Sequence, residues 1–357
     1  NNYLYCGGRF CEEWCQYSQH FSPILRNYEK LKMTYFHLAL ATFFSIILFH
    51  DIYFATNPTI VRVEDPKFTL LGPYNTTPVE TNDVYDQLID IKNFSFKNNP
   101  QPCKDYQAGL LLLIIVASNP INYENRMLIR STWGKSVDST KTVFLLGETD
   151  NSTINKKIQQ ESNNYGDVVQ GSFTDAYRNM TYKHVMGLKW VSHHCPMAKY
   201  VLKTDDDIVV NSREMRRFLA KELSPWGAQG LIACKVLIHA PAYRSESKWI
   251  VTTDEYSQYY YPTYCAGWAV LYSQDVVRQL LEAAQTTPYF WIDDVHITGC
   301  IAKQIGIYRT SMQGLFLYPR QAQVLTHFGP KYVGQFLFGP PDLSTTKMHK
   351  IWKAIPA

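Results

Sequence analysis

The sequence predicts an α/β fold in which a mainly parallel sheet is covered by helices on both faces. Residues 109–117 read GLLLLIIVA, a continuous apolar run that ends at Ser118-Asn119-Pro120 and is typical of a strand buried on both sides. The segments that follow alternate between short apolar strands and helices of ten or more residues, which is the pattern of βαβ units. Ligands of such sheets bind beyond the carboxyl ends of the strands, so functional residues are expected there.

The elements after the first strand are predicted in chain order from this alternation. They are a helix over 124–133, a strand over 141–146 closed by Gly147, a helix over 151–165, a strand over 167–170, a helix over 175–194 and a strand over 199–204. No internal repeat or low-complexity tract interrupts them.

Composition excludes several classes of protein. The chain has 357 residues, of which 46% are apolar, so it can build a sizeable core and is neither disordered nor fibrous. Its 35 basic and 31 acidic side chains give a net charge of only +4, which does not favour a nucleic-acid partner.

One segment near the N-terminus is too apolar for an ordinary loop. Met33–Phe49 contains no charged residue, and with the IYFA that follows His50 and Asp51 it approaches the roughly 20 residues of a membrane-spanning helix. Basic residues precede it and Asp51 follows it, so the positive-inside bias favours a single signal anchor with a cytosolic N-terminus. A buried core helix is the alternative.

This topology divides the chain into four parts. We expect a cytosolic tail over 1–32, a transmembrane signal anchor over 33–54, a luminal stem over 55–105 and a catalytic domain over 106–357. The stem is inferred from a shift toward Pro, Asn, Thr and Lys with little apolar periodicity.

Two further features agree with a luminal domain. N-glycosylation sequons occur after the anchor at Asn75, Asn93, Asn151 and Asn179. Five cysteines also follow the anchor, namely Cys103, Cys195, Cys234, Cys265 and Cys300. An oxidising lumen would permit disulfides among them, but five is odd, so at least one is free, and spacing does not fix the pairing.

Three adjacent carboxylates follow the predicted strand KYVLKT. Asp205, Asp206 and Asp207 repel one another, and this cost is hard to explain at the mouth of a buried strand unless a cation collects there. Oxygen ligands favour Mg²⁺, Mn²⁺ or Ca²⁺ over zinc. A solvated acidic loop is the other interpretation, and the position at a strand end favours the metal.

A second acidic pair, Asp293-Asp294, stands between an aromatic run and an apolar segment in FWIDDVHITG. Carboxylates in such surroundings lose hydration, which raises the pKa and makes one of them a candidate general base near neutral pH. Asp294 can equally cap the following helix, and these residues alone do not decide between the two roles.

Other candidates come from helix and loop positions. Arg126 and Arg130 lie four residues apart on one predicted helix face, where guanidinium groups suit a diphosphate; a solvated face is the alternative. In YPTYCAGWAVLYS, Gly267 suggests close approach of a sugar to the backbone, with Tyr264 and Trp268 as stacking surfaces. A plain turn glycine would fit equally well.

Six segments together resemble a known family. They are ENRMLIRSTWG, TVFLLG, YGDVVQGSFTDAYRNMTYKHVMGLKWVSHHC, YVLKTDDDIVVN, YCAGWAVLYS and WIDDVHITGCIAKQIGI. In this order they resemble the blocks of the β1,3-galactosyl- and β1,3-N-acetylglucosaminyltransferases of glycosyltransferase family 31. The resemblance spans residues 109–327.

The resemblance implies a GT-A fold, Mn²⁺ with Mg²⁺ as the alternative, and UDP-galactose or UDP-N-acetylglucosamine as donor. It implies that Asp207 binds the metal, completed by His327, and that Asp205 and Asp206 lie against the donor's ribose and sugar. Arg126 and Arg130 would hold the nucleotide, and Asp294 would be the base. Asp293 would belong to the sugar pocket, at a position where many galactosyltransferases have Glu.

The function expected from this reading is hexosyl transfer with inversion. Asp294 would take the proton from an acceptor's 3-hydroxyl as it attacks the anomeric carbon, giving a β1,3 linkage on a glycoprotein or glycolipid glycan. The expected location is the Golgi membrane, and a homodimer is left open. The alternatives are a non-catalytic carbohydrate-binding or chaperone-like relative, and a metal-dependent phosphoryl-transfer enzyme with an aspartate nucleophile.

Overall fold

The computed structural model describes residues 67–73, 82–104, 110–137 and 139–356. The predicted cytosolic tail and signal anchor, and the sequon at Asn75, lie outside these residues. Among the described helices, none is both long and apolar enough to cross a membrane.

Twelve strands form in the described part of the chain. They are β1 (Thr69–Leu70), β2 (Gln87–Leu88), β3 (Ile91–Lys92), β4 (Phe96–Asn98), β5 (Leu112–Ala117), β6 (Thr140–Glu148), β7 (Val168–Thr174), β8 (Tyr200–Asp205), β9 (Ala228–Gln229), β10 (Ile232–Leu237), β11 (Tyr264–Ser273) and β12 (Arg309–Ser311).

The main sheet has eight strands in the order β12-β10-β11-β8-β5-β6-β7-β4. Its centre, β8-β5-β6-β7, is parallel, as the alternation predicts. The flanks differ, because β11 runs antiparallel to β8 and β10, and β4 runs antiparallel to β7. The sheet is therefore mixed, with a parallel core.

The helices occupy both faces of this sheet. They are α1 (Tyr123–Ser131), α2 (Ser152–Tyr165), α3 (Met180–His194), α4 (Ser212–Lys221), α5 (Gln274–Ala284), a π-helix (Val295–Ile301) continued by a turn (Ala302–Gln304), α6 (Pro319–Phe328) and α7 (Thr345–Ala354). Short 3₁₀ turns lie at Tyr177–Asn179, Gln313–Leu315 and Pro330–Tyr332.

Two apolar cores result from the alternation of side chains along β5. Leu113 and Ile115 point to the face covered by α3 and α5, whereas Leu112 and Ile114 point to the face covered by α1, α4, α6 and α7. Because both faces are covered, the run GLLLLIIVA has no polar side, which confirms its interpretation as a doubly buried strand.

The predicted elements are present, with shifted ends. The strand predicted over 167–170 extends to Thr174, and the helix predicted over 175–194 begins only at Met180, after the 3₁₀ turn Tyr177–Asn179. The turn is held by the Asn179 side chain, whose Nδ2 donates to the carbonyl of Thr174 at 2.8 Å.

Four of the cysteines form two disulfides. Cys103 bonds to Cys195, and Cys234 bonds to Cys265 across β10 and β11, which leaves Cys300 free. The expected odd cysteine is thereby confirmed among the described residues.

Three sequons lie in the described residues. Asn93 and Asn151 are exposed, whereas Asn179 is half-buried. The Asn151 side chain also caps α2 by accepting from the N–H groups of Thr153 and Ile154. Glycosylation at these positions stays a prediction.

Candidate active site

The acidic triplet lies at the carboxyl edge of the parallel core. Asp205 is the last residue of β8 and pairs in register with Ala117 at the end of β5. On its other side β8 pairs with β11, where Thr204 lies opposite Ala269. The strand that carries the triplet is thus central, and its end opens where ligands of such sheets bind.

A cleft of about 540 Å³ opens at this edge. Seven of the predicted site residues line it, namely Asp205, Asp207, Tyr264, Gly267, Trp268, Asp293 and Asp294. Residues that the sequence reasoning missed also line it, including Tyr177, Lys203, Tyr243, Lys248, Trp249, Trp291 and Asp342. The two acidic clusters, 86 or more residues apart in sequence, therefore meet in one site.

Asp294 caps a helix and also has a raised pKa. Its Oδ1 accepts from the N–H of Val295 at 2.7 Å and so caps the π-helix. Burial, together with the negative charge of Asp293, raises the pKa of the Asp294 carboxyl to about 7. A carboxylate with this pKa can accept a proton near neutral pH.

Asp293 has the opposite electrostatic environment. Burial alone would raise its pKa, but the ammonium of Lys203 and a hydrogen bond from His184 lower the pKa of Asp293 below its usual range. Its Oδ2 lies 2.9 Å from His184 Nδ1 and 3.6 Å from Lys203 Nζ. The pair thus has one carboxyl held as an anion and one able to titrate, a division typical of acid–base sites.

Lys203 connects the two acidic clusters. It is only 2% exposed, and its Nζ lies 3.0 Å from Asp205 Oδ1 and donates to the carbonyl of Gly267 at 2.7 Å. Although burial opposes its charge, the surrounding carboxylates raise the pKa of Lys203, so it stays an ammonium. A lysine inside the apolar strand YVLKT was the sequence signal that could have revealed it.

Asp207 and Asp342 form the part of the cleft that most favours a bound cation. Burial, with the charges of Asp205, Asp206 and Asp342, raises the pKa of Asp207 to about 7. Asp342 is brought there by a left-handed backbone (φ 58°) and by the N–H of Leu343, which donates to the carbonyl of Asp207 at 2.9 Å. Clustered carboxylate oxygens of this kind suit a hard divalent cation.

Few side chains of the cleft are available to bind a metal ion. Within the described residues, no group of three or more His, Cys, Asp or Glu side chains is arranged to hold a metal ion. A site with one or two carboxylates fits a cation that takes its remaining ligands from water and substrate phosphates.

His327 is not brought to the cleft. It is an exposed residue near the end of α6, and its Nδ1 lies 2.8 Å from the carbonyl of Gln323 on its own helix. The residues that line the cleft do not include it. The predicted completion of the metal site by His327 thus finds no support in this geometry, whereas Asp342 lines the cleft together with Asp207.

Asp206 faces away from the cleft. It is 6% exposed, and its Oδ2 accepts from the hydroxyl of Ser118 at 2.6 Å and from the amide of Asn122 at 3.0 Å. These bonds tie the end of β8 to the start of α1. The expectation that Asp206 contacts the donor is corrected accordingly, because its carboxylate is used within the protein.

Arg126 and Arg130 also have a structural role instead of the predicted nucleotide contact. Arg126 is 1% exposed, and its five N–H groups all have protein acceptors, including a bidentate pair with Glu161 at 2.8 Å. Arg130 donates to Glu161 and Asp167 at 2.7 Å. Arg126 therefore has no donor left for a diphosphate, and the two guanidinium groups instead tie α1 to α2 and to the start of β7.

Gly267 is explained by a neighbouring side chain. A Cβ at this position would lie 3.2 Å from both Cβ and Oδ2 of Asp294. The absence of a side chain thus makes room for the candidate base. Gly267 also lines the cleft, and the close approach of a sugar to it stays a prediction.

Aromatic side chains form the remaining walls. Tyr177 and Trp291 have ring centroids 6.0 Å apart, and Tyr243 and Trp249 have centroids 6.2 Å apart. Trp268 packs edge-on against Phe316. Flat apolar faces beside carboxylates are a common lining for sugar-sized ligands.

Comparisons with known proteins identify the family of this chain. A family model described as galactosyltransferase matches residues 124–313, which is more than half of the 357-residue chain. Beta-1,3-galactosyltransferase 5 of Pan troglodytes is 34% identical over 201 residues, covering 55% of this chain and 67% of that protein. Beta-1,3-galactosyltransferase 1 of Mus musculus is 29% identical over 287 residues, covering 79% of this chain and 81% of that protein.

One similar solved structure is that of a glycosyltransferase involved in the glycosylation of the major capsid of PBCV-1. The match covers 68% of this chain and 100% of that chain, at 10% sequence identity. Its TM-score of 0.33 is too low to carry an argument. The region that the family model matches contains every residue that lines the cleft except Pro341 and Asp342. The chain belongs to the galactosyltransferase family, glycosyltransferase family 31.

Proposed function

We propose that the protein is an inverting, metal-dependent hexosyltransferase. It moves galactose, or N-acetylglucosamine, from a UDP-sugar to the 3-hydroxyl of an acceptor glycan and forms a β1,3 linkage. Family membership supports the transfer of a sugar, and the names of the two relatives support galactose and the β1,3 linkage.

The observation that carries the proposal is the environment of Asp294. Its carboxyl lies in a cleft, has a pKa raised to about 7, and is flanked by an anion, Asp293, that is already held by protein groups. One titrating carboxyl is what a single displacement requires: it removes the acceptor's proton, and no enzyme nucleophile is needed. Inversion at the anomeric carbon follows from a single displacement.

The protein also has to manage the negative charge of the leaving UDP. A divalent cation, Mn²⁺ or Mg²⁺, would be held by Asp207 with Asp342 and would neutralise charge on the departing diphosphate. Lys203 contributes a fixed positive charge between Asp205 and Asp293, where it offsets part of the repulsion within the cleft. Asp205, one-third exposed at the cleft wall, is the carboxylate placed to contact the donor's sugar or ribose.

The aromatic walls suit the acceptor. Tyr264 and Trp268, with Trp249 and Trp291, offer faces on which a sugar ring can stack while its hydroxyl approaches Asp294. The acceptor is proposed to be a glycan on a glycoprotein or glycolipid.

The proposed setting is the Golgi lumen, with the chain anchored as a type II membrane protein by residues 33–54. The apolar run Met33–Phe49, the sequons and the two disulfides support this placement. Association into a homodimer is left as part of the same proposal, to be measured by the mass of the purified protein in detergent.

The test is a donor and acceptor panel. The full chain, purified in detergent, is incubated with individual UDP-sugars and Mn²⁺, and UDP release is measured with and without galactoside, N-acetylglucosaminide and N-acetylgalactosaminide acceptors. We expect release from one donor, stimulated by one acceptor and abolished by EDTA. Release that is indifferent to EDTA would remove the metal from the proposal, and a folded protein silent with every pair would overturn it.

Two variants assign the base. Asp294→Asn should keep donor binding but lose transfer by about 100-fold or more. Glu222→Gln, at an exposed carboxylate just after α4, is the matched control and should behave as the parent protein. Normal turnover by Asp294→Asn would show that another group is the base.

A further inference from the structure

A buried chain of three polar side chains lies behind the candidate base. His184 projects from α3, and its Nδ1 lies 2.9 Å from Oδ2 of Asp293. On the other side, its Nε2 lies 3.2 Å from the hydroxyl of Tyr272 on β11. His184 is 2% exposed and Tyr272 is fully buried, so water does not compete for these bonds.

The contacts fix the tautomer of the imidazole. Burial lowers the pKa of His184, so the ring is neutral and carries one N–H. Burial, with the charges of Asp293 and Asp294, raises the pKa of Tyr272, so its hydroxyl keeps its proton. The arrangement that satisfies all three groups has the Tyr272 O–H donating to Nε2 and the Nδ1–H donating to Asp293.

Asp293 is then held from two directions. His184 donates to Oδ2 from the α3 side, and the Lys203 ammonium lies 3.6 Å from the same oxygen on the β8 side. Because Asp293 is joined to Asp294 by one peptide bond, fixing it also fixes the segment from which the base projects. The base itself is confined by the N–H of Val295 and by the bare Cα of Gly267.

We propose that His184, oriented by Tyr272, is a positioning residue that holds Asp293 as a fixed anion and thereby sets the place and charge environment of Asp294. Asp293 then acts through its neighbour, Asp294. The sequence had predicted instead that Asp293 belongs to the sugar pocket. This inference rests on the proposed function, in which Asp294 is the base.

The groups facing Asp294 define what a pH experiment reports. They are Asp293 beside it, Lys203 and Asp205 on β8, Tyr264 at the start of β11 and Tyr261 just before that strand. Without the bond from His184, the Asp293 anion is less stabilised and takes up a proton more readily. Lys203, however, still lies 3.6 Å from Asp293 and keeps it ionised near neutral pH, so the repulsion on Asp294 persists and the acid limb of the rate profile stays close to the parent's.

The first experiment uses the unmodified chain and needs no activity. Selective ¹⁵N-histidine labelling of the full chain, with His184→Asn to assign the signal, reports which nitrogen of His184 carries the proton. We expect the Nδ1–H tautomer, unchanged between about pH 6 and 8. An Nε2–H tautomer, or a doubly protonated ring at pH 7, would overturn the proposal.

The second experiment measures kinetics with the donor–acceptor pair found by the panel. His184→Ala should lower kcat by about tenfold or more, because a displaced base loses its alignment, while KM for both substrates stays within about twofold. Its acid limb should stay close to the parent's, because Lys203 keeps Asp293 ionised. His184→Asn, whose Nδ2–H can replace Nδ1–H, should recover most of the rate. His194→Ala, near the end of the same helix, is the control and should leave kcat unchanged.

The outcomes separate the two proposals. A protein that binds UDP but transfers no sugar refutes the proposed function, while the tautomer still tests the arrangement behind Asp293. A folded His184→Ala protein with the parent's kcat, or a His184→Asn protein no better than His184→Ala, overturns the positioning role even when the parent is an active transferase.

Discussion

Replacing Asp294 by Asn should make the protein more stable, and more so as the pH rises. The folded protein raises the pKa of Asp294 from 3.8 to about 7. A carboxyl with a raised pKa keeps its proton in the folded state after the unfolded chain has lost it, so its protonation favours folding at low pH. That contribution is lost as the pH rises through about 7.

The magnitude follows from the shift. At 1.36 kcal/mol for each unit of pKa, a shift of roughly three units corresponds to about 4 kcal/mol as an upper limit. Asp293 and Lys203 adjust to the ionisation of Asp294, which reduces its cost. We therefore expect a measured stabilisation of about 1–3 kcal/mol. The variant should therefore gain this amount over the parent between pH 5 and pH 8.

The assay is urea denaturation of the full chain in detergent with EDTA, at pH 5, 6, 7 and 8, followed by tryptophan fluorescence. The difference in unfolding free energy between variant and parent is plotted against pH, with Glu222→Gln as the control for a carboxylate that stays exposed. A difference that is constant over this range, or that decreases with pH, would refute the claim that Asp294 is buried at a cost.

Three other substitutions test separate parts of the structure. Arg126→Met should lower stability by about 3–5 kcal/mol in a denaturation assay, because it leaves the Glu161 carboxylate buried beside one arginine fewer, and a stable variant that has lost UDP affinity would restore the nucleotide role. Gly267→Ala should lower kcat by about tenfold with donor KM unchanged, because the new Cβ forces Asp294 to shift by a few tenths of an ångström; unchanged kcat would show that the base tolerates the movement. Asp207→Asn should abolish Mn²⁺-dependent binding of UDP in calorimetry, and affinity equal to the parent's would exclude it as a metal ligand.

The parallel core could be predicted because its evidence is local. A doubly buried strand needs an unbroken apolar run, and residues 109–117 provide one. The acidic positions in the cleft were found for the same reason, since charge at the end of an apolar strand is visible in a short window. Asp205, Asp207 and Asp294 were identified in this way.

The errors arise where a partner is distant in sequence. Nothing near Arg126 indicates that Glu161, 35 residues later, takes up its guanidinium group, so a buried ion pair and a ligand-binding arginine look alike. His184 precedes Asp293 by 109 residues, and its role depends on the pairing of α3 with the sheet. Asp342 was not predicted to line the cleft, because its position depends on a left-handed backbone conformation that no sequence pattern indicates.

The disulfide between Cys234 and Cys265 closes the base of a long excursion between two sheet strands, with a sequence separation of 31. Tyr243, Lys248 and Trp249 face the cleft from this excursion, while the candidate base stands outside it. Under the proposed function, part of the acceptor wall thus lies on a segment of the chain that does not carry the candidate base, and the disulfide closes that segment covalently. If the sequence of this segment diverges during evolution, or is exchanged with that of a relative, we expect acceptor preference to change. The candidate base, which lies outside the segment, stays intact.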